Sequence, residues 1–73
     1  MKITIKLAEV LREKNISQRD LARKTNIRPA SINEMCKNET QRIPLDNLAK
    51  ICDVLDCEIT DILILDKEVP KND

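Results

Sequence analysis

The sequence predicts an all-α fold, a bundle of five short helices, and three observations lead there. The chain has 73 residues, so only about 60% of its unfolded surface can be buried and sequence-local helices are the simplest way to build a core. Apolar residues recur at i, i+3 and i+4 through much of its length, the period of a helix with one buried face. Helix punctuation recurs as well: a Ser17-Gln18-Arg19-Asp20 start, prolines at positions 29 and 44, and asparagines at 15 and 26. Residues 1–73 are expected to form one domain.

Leu7, Val10 and Leu11 share a helical face across from Glu9, Arg12, Glu13 and Lys14, so the first helix is expected over residues 6–14. Asn15 ends it, because asparagine tolerates left-handed backbone. Ser17 can cap the next turn while Asp20 reaches back, and Ile16 can pack on Leu21 as a staple. The second helix begins there, buries Leu21 and Ala22, and stops by Asn26. Pro29 suits the first position of a third helix, where its missing N–H is not needed. Ile32, Met35 and Cys36 form the inward stripe of that helix; Ala30, Ser31, Asn33, Glu34 and Lys37 face out. A polar loop from Lys37 to Arg42 leads to Pro44 and a fourth helix with apolar positions Leu45, Leu48, Ala49, Cys52 and Leu55. A last short helix is expected from Ile59 to about Leu63. At the ends, Ile3 and Ile5 alternate with Lys2, Thr4 and Lys6, and residues 62–65 are aliphatic. These segments either pair as two short strands or are frayed helix ends.

Absent residue types exclude whole chemistries. The chain has no His, no Gly, and no Phe, Trp or Tyr. Without His there is no imidazole base, no Ser-His or Cys-His pair and no His-containing zinc site. Without Gly there is no phosphate-cradling loop or dinucleotide fingerprint. Without aromatic rings there is no platform for stacking unpaired bases, so a nucleic-acid ligand would be duplex. The expected protein is not an enzyme and needs no cofactor or metal.

Cys36, Cys52 and Cys57 are odd in number and fit no paired CxxC spacing. They are expected to pack as small apolar residues in a reducing, cytoplasmic setting. The Met1-Lys-Ile-Thr-Ile-Lys6 start is too short and charged for a signal sequence, and the longest apolar run, residues 62–65, is far too short to span a membrane.

The net charge of zero conceals a segregation. Residues 1–42 carry ten basic side chains against five acidic ones, and residues 43–73 carry three against eight, among them Glu68 and Asp73 with Lys71 on the basic side. A polyanion would be drawn to one half and repelled by the other, which orients it as well as binding it.

Two short helices joined by Thr25-Asn26-Ile27-Arg28 form the motif of note. Counted from Gln18, Leu21 is the fourth residue, Ala22 the fifth, Asn26 the ninth, Ile27 the tenth, Ile32 the fifteenth and Met35 the eighteenth. A helix-turn-helix needs at these places an apolar anchor, a small residue at the helix crossing, a residue able to take φ > 0, and three core contacts. With these residues, and with Ile43-Pro-Leu-Asp-Asn-Leu-Ala-Lys-Ile-Cys-Asp-Val-Leu-Asp-Cys57 after them, the chain resembles the Cro and CI phage-repressor family over residues 7–63. The resemblance implies a five-helix repressor-like DNA-binding bundle whose third helix enters the major groove, with a homodimer reading two half-sites of double-stranded DNA.

Carried over by that resemblance, Gln18 matches a phosphate-clamping glutamine, and Arg19 beside it is a further phosphate candidate. Arg28, Pro29, Ala30, Ser31 and Glu34 occupy positions that face base edges, with Asn33 on the flank. Lys37 and Asn38 match a polar-glycine pair that holds phosphate, and Arg42 follows in the basic loop. Three departures stand out. Asn26 and Asn38 replace the usual glycines; Leu11 and Cys36 replace a buried Arg-Glu pair, so that contact should be apolar; and Pro29 replaces a polar base reader. The function expected is a sequence-specific DNA-binding transcriptional repressor. Its rival is a protein-binding module on the same fold, such as an antitoxin, adaptor or anti-repressor, using the acidic segment from residue 46 to residue 73.

Overall fold

The computed structural model describes residues 1–67. Glu68, Lys71 and Asp73 of the charge count above lie outside the described residues. The elements in chain order are β1 (Lys2–Ile5), α1 (Leu7–Lys14), α2 (Gln18–Thr25), α3 (Pro29–Cys36), α4 (Leu45–Leu55), α5 (Ile59–Ile62) and β2 (Leu63–Asp66). All five expected helices are present. The open question at the termini resolves as strands: β1 and β2 pair antiparallel, with Lys2 opposite Asp66 and Ile5 opposite Leu63.

Local chemistry sets the helix ends. Ser17 Oγ accepts the Asp20 N–H at 3.0 Å, as its cap position requires. Asp20 does not return the bond: its carboxylate accepts from Arg23 at 2.7 Å, since an ionic donor one turn on outcompetes a neutral amide. A reciprocal capping box closes α5 instead, where the Glu58 N–H donates to Asp61 Oδ2 at 2.9 Å and the Glu58 side chain accepts the Asp61 N–H. Arg28 precedes Pro29 with no side-chain cap at all. A chain without glycine must still turn, and it does so at Asn15, Asn26, Asn38 and Asp56, with φ of 59°, 61°, 60° and 52°. Short Asx side chains bear that backbone at less cost than other non-glycine residues.

The core is wholly aliphatic and sulfur-containing. Leu7, Leu21, Ile32, Ile51, Leu55 and Ile62 are its largest fully buried side chains, each worth roughly 1.5–3 kcal/mol relative to exposure. Leu11 is buried and Cys36 half-buried against the same cluster, so the α1–α3 contact is apolar as expected. The fourth helix differs from expectation. Its buried face is Leu48, Ile51 and Leu55, while Leu45 is 81% exposed and Ala49 is exposed. The stripe is therefore rotated toward Ile51, which joins the core cluster, while Leu45 in the first turn stays outside it. Between α2 and α3, Thr25 is buried: its hydroxyl donates to the Leu21 carbonyl at 2.7 Å and accepts the Ile27 N–H at 3.3 Å. These two hydrogen bonds of the Thr25 hydroxyl and the left-handed Asn26 fix the turn.

Candidate nucleic-acid interface

The turn at Thr25–Arg28 sets the N-terminal end of α3 against the C-terminal end of α2. Arg19 and Arg28, both exposed, line one shallow groove with Arg23, Asn26 and Pro29. Three guanidinium groups and the N-terminal end of α3 meet there, which makes the surface attractive to anions. Arg23 is tied to Asp20 in an exposed pair; Arg19 and Arg28 are in neither of the two ion pairs among the described residues.

Gln18, first residue of α2, is half-buried and accepts a hydrogen bond from Asn33 Nδ2 at 3.3 Å. Two sequence candidates, one expected at phosphate and one beside the bases, are thus brought into contact. Further along α3, Ser31 is half-buried and Glu34 exposed, and both line a groove against Thr40, Arg42 and Asn47. Ala30 is exposed on the first turn of α3. Lys37 is exposed where α3 ends and Arg42 is exposed in the following loop.

Asn38 goes elsewhere. Its Oδ1 accepts the Ile5 N–H at 2.6 Å and its Nδ2 donates to the Ile5 carbonyl at 3.0 Å. Its own N–H donates to the Met35 carbonyl at 3.1 Å. The side chain matched to a phosphate holder is committed to the backbone of β1.

Thr40, Gln41 and Asn47 were not among the sequence candidates, yet Thr40 and Asn47 face Ser31 across the groove and Gln41 lies beside Arg42 and Glu34. The available signal was the place of Asn47 in the first turn of α4, where helix amides also point outward. The thiols are quiet: burial raises the Cys36 pKa above its ordinary value. Burial, then the neighbouring Cys52 and Asp61, raise that of Cys57 against a small opposing effect of Lys14. No helix among the described residues is long and apolar enough to cross a membrane.

Comparison with known proteins agrees with this geometry. A crystal structure from Bacteroides fragilis, described as a candidate DNA-binding protein, superposes with a TM-score of 0.77 at 25% identity, covering 86% of this chain and 100% of the other. A chain of the SinR–SinI protein complex superposes with a TM-score of 0.70 at 22% identity over 75% of this chain, which spans 53% of that longer one and shares its fold. No curated protein matches. The family model of the Cro/C1-type helix-turn-helix DNA-binding domain covers residues 6–68, most of the sequence, and the chain therefore belongs to that family.

Proposed function

We propose that this family member is a sequence-specific transcriptional regulator that binds double-stranded DNA as a homodimer, reads the major groove with α3 and represses transcription. It acts as one domain over residues 1–73, in the cytoplasm, without catalysis or cofactor. The observation that carries the reading is the paired exposure of Arg19, in the first turn of α2, and Arg28, at the start of α3, along one groove of the helix-turn-helix.

In this reading Gln18, Arg19, Lys37 and Arg42 hold phosphates, while the Asn38 side chain stays on the backbone of Ile5. Arg28 grips guanine O6 and N7, Ala30 meets a thymine methyl, and Ser31 bonds whichever edge faces it. Glu34 accepts from a cytosine amino group, and Asn33 acts at the flank while orienting Gln18. A helix of eight residues reads only a few base pairs, so two-fold symmetry is needed to single out a site. The terminal ribbon offers the contact: Ile3 and Leu65 are cross-strand partners, 61% and 52% exposed. Bound across a promoter, such a dimer excludes polymerase.

Selection of bound fragments from a random duplex library tests this. The expected product is a two-fold-related pair of half-sites about one helical turn apart, with log K falling against log salt at a slope of about −0.9 per phosphate neutralised. No enriched sequence, and duplex affinity flat with salt, would instead favour a protein-binding module working through the acidic α4 and α5.

A further inference from the structure

The Asn38–Ile5 contact joins parts of the chain 33 residues apart. Ile5 is the last residue of β1, and its N–H and C=O face away from β2, toward the outer edge of the ribbon. The next residue faces the other way, since the Lys6 N–H donates to the Ile62 carbonyl at 2.6 Å. An amide carries one acceptor and one donor side in a single plane, so Asn38 pairs with Ile5 as a neighbouring strand residue would. Its backbone is equally constrained. Asn38 sits at φ 60°, its N–H bonds the Met35 carbonyl, and the Glu39 N–H bonds the Glu34 carbonyl at 2.9 Å. The C-terminal end of α3 and the end of β1 are therefore fastened by two bonds to one side chain.

We propose that Asn38 is a positioning residue: its amide locks α3 to the β1–β2 ribbon, so that the angle between the DNA-reading helix and the dimer contact is held fixed. The inference rests on the DNA-binding, dimeric reading above. If two copies meet through the ribbon, the separation and tilt of the two α3 helices depend on this joint, and half-site spacing becomes a property of the Asn38 amide. Glycine reaches the same φ but has no amide, and aspartate keeps the acceptor for the Ile5 N–H while placing an oxygen against the Ile5 carbonyl.

The test uses duplexes carrying the selected half-site once, or twice at centre spacings varied one base pair at a time. Wild-type protein should show a sharp spacing optimum. Asn38→Gly should keep its single-half-site affinity and its dimerisation, lose about tenfold in affinity at the preferred spacing through lost preorganisation, and accept neighbouring spacings nearly as well. Asn38→Asp should lie between. Hydrogen exchange at the Ile5 amide should accelerate in the same order. An unchanged optimum in Asn38→Gly overturns the proposal. So does an equal loss on single and paired half-sites, which would make Asn38 a phosphate ligand, or failure of both variants to fold, which would make it a folding element. Wild-type protein that binds no duplex overturns the DNA-binding reading itself and this proposal with it, a result distinct from the other three.

Discussion

Asn33 of α3 donates a hydrogen bond to the side-chain oxygen of Gln18 of α2, 3.3 Å away, so two side chains at the helix-turn-helix surface are set by one another. The bond leaves the Gln18 amide NH2 free to donate to a phosphate and restricts where it can point. Gln18→Ala should weaken duplex binding uniformly across sequences, without altering the salt slope, because glutamine carries no charge. Arg19→Ala should reduce that slope by about one unit. Asn33→Ala discriminates two roles: a uniform loss matching Gln18→Ala makes it an orienting residue, and relaxed preference at one base pair makes it a base reader. Titrations at four salt concentrations decide between them.

The ribbon supplies the second prediction. Leu65 lies opposite Ile3 and is half exposed, so Leu65→Lys should fold normally as a monomer. Burying the exposed remainder of such side chains is worth about 1 kcal/mol each. Removing two of them and adding two like charges to the contact should weaken dimerisation about tenfold or more. Sedimentation should shift toward monomer, and affinity for paired half-sites should fall toward that for single ones. An unchanged sedimentation profile would place the dimer contact elsewhere.

Residues whose reasons are local were legible in the sequence. Ser17 caps, Pro29 begins a helix and Asn26 turns left-handed because each choice depends on a few neighbouring backbone atoms. Ile51 was not legible as core. A stripe through Leu45, Leu48, Ala49, Cys52 and Leu55 fits the helical period as well as one through Leu48, Ile51 and Leu55, and only tertiary packing selects between them. The Asn38–Ile5 bond was out of reach for another reason: nothing in a sequence marks which strand edge will meet an asparagine 33 residues later. The open choice at the termini had a similar cause, since short aliphatic segments become strands only when each finds the other.

The raised thiol pKa values give a third prediction. Folding holds the Cys36 and Cys57 protons more tightly than the unfolded chain does, through burial in both cases. The stabilisation is fully present below the unfolded thiol value of about 8.5 and is lost as pH rises through the higher folded values. The urea midpoint should therefore hold steady around pH 7 and fall at alkaline pH, before lysine titration near about 10.4 adds its own effect. Cys36→Ala should change the midpoint by a roughly constant amount at neutral pH and flatten part of the alkaline fall. An equally steep fall in Cys36→Ala and Cys57→Ala would remove the thiols as its cause.

Arg28 sits where local stability argues against it. It caps α3 with no side-chain bond, and serine there would typically be worth about 1 kcal/mol more. A cation at the positive end of the helix dipole adds to the cost. In the DNA-binding reading proposed above, function supplies the compensating reason, since the guanidinium is exposed along the same groove as Arg19. Arg28→Ser should raise thermal stability slightly and lower affinity for the selected duplex. If preference at one base pair relaxes, Arg28 reads guanine through O6 and N7. If affinity drops alike on every sequence and the salt slope shrinks by about one unit, it holds a phosphate. Raised stability with unaltered affinity would leave Arg28 an uncompensated surface charge and remove it from the interface.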